Sequence, residues 1–115
     1  MNVAQVRRYA LSLSAVNEEP HFEYSSFRVR GKLFVTVPPD GEHIHIFVGD
    51  DEREVALTLH AAFVEPLVWG AKVRGVRVRL SSAMPSVVKQ LVRAAWTRKA
   101  PKSALTPSTT LARVR

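Results

Sequence analysis

The chain has 115 residues, 46% of them hydrophobic, and carries 17 Lys and Arg against 10 Asp and Glu, for a net charge of +7. This length predicts one domain whose core needs no metal or disulfide support. Cysteine is absent, which excludes disulfides, thiolate zinc sites and cysteine nucleophiles. No apolar run reaches the length of a signal peptide or a membrane span, so we expect a cytoplasmic protein without a membrane partner.

The charge is distributed unevenly along the chain. Residues 1–57 contain six Lys or Arg against nine Asp or Glu, and residues 58–115 contain eleven against Glu65 alone, so the net charges are −3 and +10. Such an asymmetry is typical of a protein with a polyanionic partner. An arginine-rich composition that ends in a solvated basic tail accounts for the same distribution.

Apolar side chains recur at helical spacing within residues 2–14, which predicts an N-terminal helix. We expect residues 17–20 to end this helix, because Pro20 disfavours helical geometry in the residue before it. Residues 21–24 are predicted to form a short edge strand that leads into a hairpin.

The hairpin is predicted over residues 26–37, where apolar residues fall on alternate positions, as they do on strands with one buried face. A three-residue connection centred on Gly31 reverses the chain and keeps the apolar face continuous. The predicted cross-strand neighbours are Val29 with Leu33 and Phe27 with Val35.

A turn over residues 38–41 and renewed alternation over residues 43–48 predict a third antiparallel strand. The acidic residues within 49–54 indicate the start of a second helix, since carboxylates complement the positive end of the helix dipole. We expect Glu65 and Pro66 to end this helix. Its predicted buried stripe consists of Val55, Leu59, Ala62 and Phe63.

Residues 72–80 are the most basic regular stretch, and their alternation changes phase at Gly75. A bulge at Arg74 and Gly75 would bring all four cations of this stretch to one face. Alternatively, Gly75 ends a loop and only residues 76–80 form a strand, which the loop-like sequence before it favours. Both alternatives leave Arg77 and Arg79 side by side on the polar face.

The last helix is predicted to begin near Pro85, because proline is tolerated in a first turn. Its apolar side consists of Val87, Val88, Leu91, Val92 and Ala95. Lys89 and Arg93 are four residues apart and share another face. We expect one domain over residues 1–101 and a flexible basic tail over residues 102–115.

Three short motifs follow one another in this chain: Ser26-Phe27-Arg28-Val29, Gly31-Lys32-Leu33-Phe34 and Lys99-Ala100-Pro101-Lys102. With the N-terminal helix and the basic strand, their order resembles the MmcQ/YjbR family over nearly the whole chain. The resemblance implies an α+β fold, with an antiparallel sheet of about five strands and N-terminal, middle and C-terminal helices, similar in outline to frataxin. It also implies DNA binding, by analogy with a double-wing fold. Val76 and Trp96 depart from the tryptophan and tyrosine usual in the family.

We therefore predict a DNA-binding protein that contacts phosphates with Lys and Arg, and that has no catalytic site, metal or cofactor. The hairpin serves as a wing with Arg30 as a minor-groove probe, and the basic strand and last helix supply a second surface. The candidate residues are Arg28, Arg30, Lys32, Arg74, Arg77, Arg79, Lys89 and Arg93. Taken singly, each also fits a solubilising role on an exposed face.

The alternative is a non-catalytic binding or scaffold domain for a protein or a small anionic ligand, with Trp69, Trp96 and Tyr24 at a pocket or interface. A DNA binder prefers long polyanions to mononucleotides, and a ligand domain does the reverse. His43 and His45 share one strand face, but no third metal ligand accompanies them, and exposed strand histidines are commoner than metal ligands. The oligomeric state is left open by the sequence.

Overall fold

The computed structural model describes residues 1–102. An antiparallel sheet has the strand order β1-β2-β3-β4-β6-β5. The elements are α1 (Val3–Ser12), β1 (Val16–His21), β2 (Tyr24–Val29), β3 (Lys32–Val37), β4 (His43–Ile46), α2 (Asp50–Leu59), β5 (Val64–Trp69), β6 (Lys72–Arg79), a 3₁₀ turn (Leu80–Ser82) and α3 (Pro85–Lys99). The predicted α+β class is confirmed, with six strands within the described residues where the sequence predicted about five.

Two of the observed strands, β1 and β5, lie where the sequence predicted none, and β1 occupies the segment expected to end the first helix. That helix ends at Ser12, and Pro20 lies in β1, at one edge of the sheet. Proline is tolerated on an edge strand because no neighbour there requires its missing N–H. Residues 22–23 form the turn that follows, so the short strand predicted over 21–24 is wrong.

Pro66 lies in the strand at the opposite edge of the sheet, where its missing N–H is tolerated for the same reason. Residues 65–66, which were predicted to end the second helix, lie in β5, the other edge strand. The helix α2 begins in the acidic segment as predicted, but it ends at Leu59 and buries only Ala56. Of the predicted stripe only Phe63 is buried, and it lies beyond the end of the helix. The helix buries Ala56 instead, which leaves Val55 57% exposed and Leu59 66% exposed.

The hairpin between β2 and β3 has a two-residue turn instead of the predicted three-residue connection. Arg30 and Gly31 have φ angles of 50° and 82°, the left-handed pair that defines a type I′ turn. Val29 therefore pairs with Lys32 and not with Leu33. Phe27 does pair with Val35 as predicted, because a bulge on β3 takes up one residue.

Arg30 is strained at the first position of this turn, because arginine adopts a positive φ less readily than asparagine does. An Arg30→Asn variant is expected to raise the free energy of unfolding by about 0.5 kcal/mol. Urea unfolding of the two proteins measures this difference. A less stable variant would show that the Arg30 side chain makes a contact that outweighs the backbone strain.

Within residues 1–102, the helices cover one face of the sheet, and none lies on the other face, here called the open face. Val6, Ala10, Val88 and Val92 from α1 and α3 pack on the inward strand residues. The inward strand residues with no exposed surface are Phe27, Val29, Val35, Ile44, Ile46, Val76 and Val78. Within one strand, the residue between two of these inward residues points to the open face, as Arg28, His45 and Arg77 do, because side chains alternate along a strand.

The basic strand β6 begins at Lys72, so the favoured prediction, in which Gly75 ends a loop and the strand starts at residue 76, is wrong. The alternative with a bulge at Arg74 and Gly75 is the one observed. Leu67 pairs with Gly75 and Val68 pairs with Val73, which leaves Arg74 as the bulged residue. Glycine is required next to it, because a β-carbon at position 75 would overlap the carbonyl oxygen of Ile46 in β4. Gly75 thus allows β6 and β4 to approach closely at the bulge.

The helix α3 agrees with the prediction in its start and in its buried side chains, to which the structure adds Trp96. The indole N–H of Trp96 donates to the carbonyl of Ser14 at 3.0 Å, which ties α3 to the end of α1. The tail predicted over residues 102–115 lies, from residue 103 onward, outside the described residues. Within residues 1–102, none of the helices is both long and apolar enough to cross a bilayer.

Candidate nucleic-acid interface

Two hairpin tips project from the same end of the sheet. In β4, Ile46 pairs with Val35 of β3 on one side and with Val76 of β6 on the other, and both neighbours run antiparallel to it. The residues before Val35 and Val76 therefore extend past the same end of β4. These residues lead to the turn at Arg30 and Gly31 and to the turn after Trp69.

The last residues of α3 reach this end as well. Lys32 pairs with Val29, a core residue, so Lys32 stands on the helix side of the sheet. Burial lowers the pKa of Lys99 below its ordinary value, and the positive charges of Arg98, Lys32 and Arg74 lower it further. Lys99 therefore lies close enough to Lys32 and Arg74 for their charges to repel it.

We call the surface formed by Arg30, Lys32, Lys72, Arg74 and Lys99 the basic end. None of the ion pairs within residues 1–102 involves any of these five side chains. Arg98 differs, because it donates to the carbonyl of Phe47 at 3.3 Å and lies beside Glu52 at the start of α2. Positive charge at the basic end is thus concentrated without a paired carboxylate.

The predicted site residues Arg28 and Arg77 lie on the open face and are largely committed to other groups. Arg28 bonds to Ser26 Oγ at 3.3 Å and lies 3.9 Å from Glu19. Arg77 lies 3.7 Å from Asp40 and 3.6 Å from Glu65, although its buried Nε has no hydrogen-bond partner in the described part of the chain. Their charges are therefore mostly balanced inside the protein.

A row of polar side chains crosses the open face through these residues. Ser26, Thr36, His45, Arg77 and Glu65 stand opposite one another on neighbouring strands. The first two have no exposed surface and His45 is 5% exposed. Thr36 Oγ1 and His45 Nδ1 lie 3.3 Å apart, and such a bond partly offsets the cost of burying both groups.

Burial lowers the pKa of His45 from 6.5 to about 4, and the nearby charges of Arg77 and His43 add to this effect, against smaller opposing effects of Asp40 and Glu65. His45 is therefore neutral at neutral pH and carries no phosphate-binding charge. Its ring is enclosed by Tyr24 and Trp69, at centroid distances of 6.0 Å and 6.4 Å.

His43, the other candidate metal ligand, is engaged with Asp40. Its Nδ1 lies 2.9 Å from Asp40 Oδ2. Burial raises the pKa of Asp40, but hydrogen bonds from the backbone of Glu42 and from His43 outweigh burial and bring the pKa below its usual value. Across residues 1–102, no three metal-ligating side chains come together.

The remaining predicted residues lie apart from one another. Lys89 and Arg93 are on α3, where they lie 5.7 Å from the ring centroids of Tyr9 and Trp96 respectively. Arg79 lies on the open face, opposite His43. The sheet separates Arg77 and Arg79 from Lys89 and Arg93, so the single basic surface expected from these four residues does not form.

The sequence analysis missed Lys72 and Lys99 as site residues. Lys72 was assigned to the loop-like sequence before the predicted strand, but it pairs with Trp69 at the tip of the second hairpin. Lys99 belongs to the motif that carried the family resemblance, and this was the available signal for it. Its proximity to Lys32 comes from the packing of α3 on the sheet, which residue spacing does not reveal.

A groove of about 550 Å³ lies between α2 and α3. Its walls include Val55 and Ala56 of α2, Leu91 of α3 and acidic residues at the start of α2. None of the five cations of the basic end lines this groove. It is therefore separate from the candidate interface.

Within the described residues, a six-stranded antiparallel sheet with three helices on one face and two hairpins at one end defines a small α+β domain. The family model YjbR matches residues 11–98, and the chain belongs to the YjbR family. Deinococcus radiodurans protein DR2400, whose crystal structure contains a DUF419 domain, superposes with a TM-score of 0.71 and 18% identity, over 83% of this chain and 75% of that chain. At this identity the likeness shows the fold alone. No curated protein matches the chain significantly.

Proposed function

We propose that this protein binds DNA through phosphate contacts at the basic end. The observation that carries the proposal is the convergence of Lys32, Arg74 and Lys99, from two strands and a helix, with no ion pair among the described residues. Like charges held together repel one another, and a phosphate relieves this repulsion while its counterions are released. Arg30 and Lys72, at the hairpin tips, extend the surface on either side.

The contacts proposed here are to phosphates, so they give affinity without sequence preference. Arg30 remains our proposed minor-groove probe, because it lies at the tip of a turn. We propose no catalytic step. Arg28, Arg77, Arg79, Lys89 and Arg93 are assigned a smaller part in binding, since they are paired with carboxylates or lie away from the basic end.

Titration of labelled duplex DNA with two variants of equal net charge tests the proposal. Removing three cations of the basic end, as Lys32→Ala/Arg74→Ala/Lys99→Ala, is expected to weaken binding roughly a hundredfold or more in about 0.1 M salt. The matched control removes three exposed cations of the helix layer, as Arg8→Ala/Lys89→Ala/Arg93→Ala. The control is expected to change the affinity less than about tenfold, because long-range charge and the smaller part of Lys89 and Arg93 contribute less than the basic end does. Equal losses in both variants would contradict a localised interface.

The positive charges that act on Lys99 also favour a second candidate, a domain that binds a small anionic ligand. The charges of Lys32 and Arg74 both lower the pKa of Lys99, so an anion bound at Lys99 would be attracted by all three. Competition separates the two functions. A DNA-binding surface releases labelled duplex to unlabelled duplex at far lower nucleotide concentrations than to a mononucleotide, and a small-ligand site does the reverse.

A further inference from the structure

The tip of the hairpin between β5 and β6 exposes apolar side chains that the core does not use. Trp69 is 39% exposed, and Val68 and Val73, which pair with each other, are 56% and 44% exposed. Val68 and Val73 lie on the helix side of this hairpin, whereas Trp69 lies on the open face, because successive cross-strand pairs alternate between the faces. Hairpin tips are ordinarily polar, and tryptophan is a residue type enriched at binding surfaces, so Trp69 marks the open face of this tip as an interaction site. The other tryptophan, Trp96, is only 6% exposed, and its indole N–H donates to the carbonyl of Ser14.

The indole of Trp69 is held in place from within the protein. Its ring meets Phe47 at a centroid distance of 5.2 Å and an interplanar angle of 63°, and meets His45 at 6.4 Å and 83°. Neither neighbour stacks parallel on the indole. Phe47 is 7% exposed and His45 is 5% exposed, so both are fixed by the core. A large aromatic ring is thereby positioned at the surface before any partner arrives.

A cation, Lys72, stands beside this ring. Lys72 pairs directly with Trp69 across the hairpin, so both side chains lie on the open face. Arg74, the bulged residue, follows two positions later and belongs to the basic end. An aromatic ring next to a cation that forms no ion pair within residues 1–102 matches a nucleotide, in which a flat base adjoins a phosphate. An acidic protein surface would match only the positive charge, and an apolar protein surface would match only the aromatic ring.

From this arrangement we infer that Trp69 stacks on an unpaired base while Lys72 binds the adjoining phosphate, so that the partner is a nucleic acid with single-stranded bases. The inference rests on the proposed function and narrows it. A base inside a duplex already stacks on its neighbours and presents no free face to a ring on the sheet, whereas single strands offer such faces at every nucleotide. Stacking is tolerant of base identity, and the same contact is available on DNA and on RNA.

The test measures affinities of the full chain for three labelled probes: an oligothymidylate, an oligouridylate of equal length and a mixed-sequence duplex. A Trp69→Ala variant is expected to bind both single strands about 5- to 100-fold more weakly, and to bind the duplex within about twofold of the unmodified protein. Trp69→Phe keeps a stacking ring and is expected to lose less than Trp69→Ala. Val68→Ala, on the other face of the same hairpin, is the matched control and is expected to bind all three probes normally.

Thermal unfolding of each variant separates a stacking role from a structural one. An equal loss on duplex and single strands would show that Trp69 only maintains the hairpin, and would overturn the inference. If Trp69→Ala binds the single strands as tightly as the unmodified protein does, the inference is overturned too. The proposed function is retained in that case if the unmodified protein binds the duplex. If the unmodified protein binds none of the probes, the proposed function and this inference both fail, and the exposed tip is then a surface for protein.

Discussion

Replacing Gly75 with alanine is expected to lower the free energy of unfolding by about 3 kcal/mol or more. The added β-carbon would overlap the carbonyl oxygen of Ile46 and lie 3.0 Å from Cα of Phe47. Both atoms belong to the backbone of the neighbouring chain segment, which cannot move aside as a flexible side chain would. Relief requires β6 and β4 to separate at the bulge, where the sheet is held by backbone hydrogen bonds.

A second glycine substitution provides the control. Gly41 has a φ angle of 68°, and a β-carbon there would have nothing within 4 Å. Gly41→Ala is therefore expected to lose only about 1 kcal/mol, from the left-handed backbone conformation. Urea unfolding at one temperature gives both values. If the two variants lose the same stability, the close approach of β4 and β6 at Gly75 is contradicted.

The stability of the protein is also expected to fall by about 2 kcal/mol between about pH 7.5 and pH 5, because of His45. In the folded protein its pKa is lowered from 6.5 to about 4, so the unfolded chain binds the proton first as the pH decreases. This contribution is fully present above the unfolded pKa of 6.5. It is lost progressively as the pH falls toward about 4, where the folded protein also takes up the proton.

Unfolding in urea at several pH values, for the unmodified protein and for His45→Asn, measures this contribution. Asparagine places an amide near the position of Nδ1, where it can still bond to Thr36, and it does not titrate in this range. The variant is expected to be less stable at neutral pH and to lose less stability on acidification to about pH 5. Parallel pH profiles for the two proteins would show that His45 is not the group responsible.

The parts of the fold that the sequence predicts well are those governed by local pattern. The helix α3 has a proline at its start and an apolar stripe at regular spacing, and both features act within one element. The strand β1 lacks such a pattern. Its Glu18 is placed by an ion pair with Arg7 of α1 at 2.9 Å, and the pKa of Glu18 is lowered chiefly by its hydrogen bond to Arg7. A partner eleven residues away in another element leaves no periodic trace in the sequence.

The candidate site was only partly predictable for the same reason. Arg30 and Lys32 are evident because a glycine between them marks a turn. The distinction between Arg77, which is paired with two carboxylates, and Arg74, which has no ion pair within residues 1–102, depends on which strands are neighbours. Sequence spacing alone does not distinguish Arg74 from Arg77, because both are arginines in the same basic stretch. The order of strands, with β6 between β4 and β5, decides which of the two charges is available to a phosphate.

The central claim, that a folded phosphate-binding surface occupies the basic end, is tested most directly by the salt dependence of duplex binding. If all five cations of the basic end contact phosphates, the logarithm of the association constant is expected to fall with the logarithm of salt concentration with a slope of about −4.5. In Lys32→Ala/Arg74→Ala/Lys99→Ala the slope is expected to flatten to about −2, since three contacts are lost. A slope that is the same in both proteins, or the absence of binding at low salt, would contradict the claim.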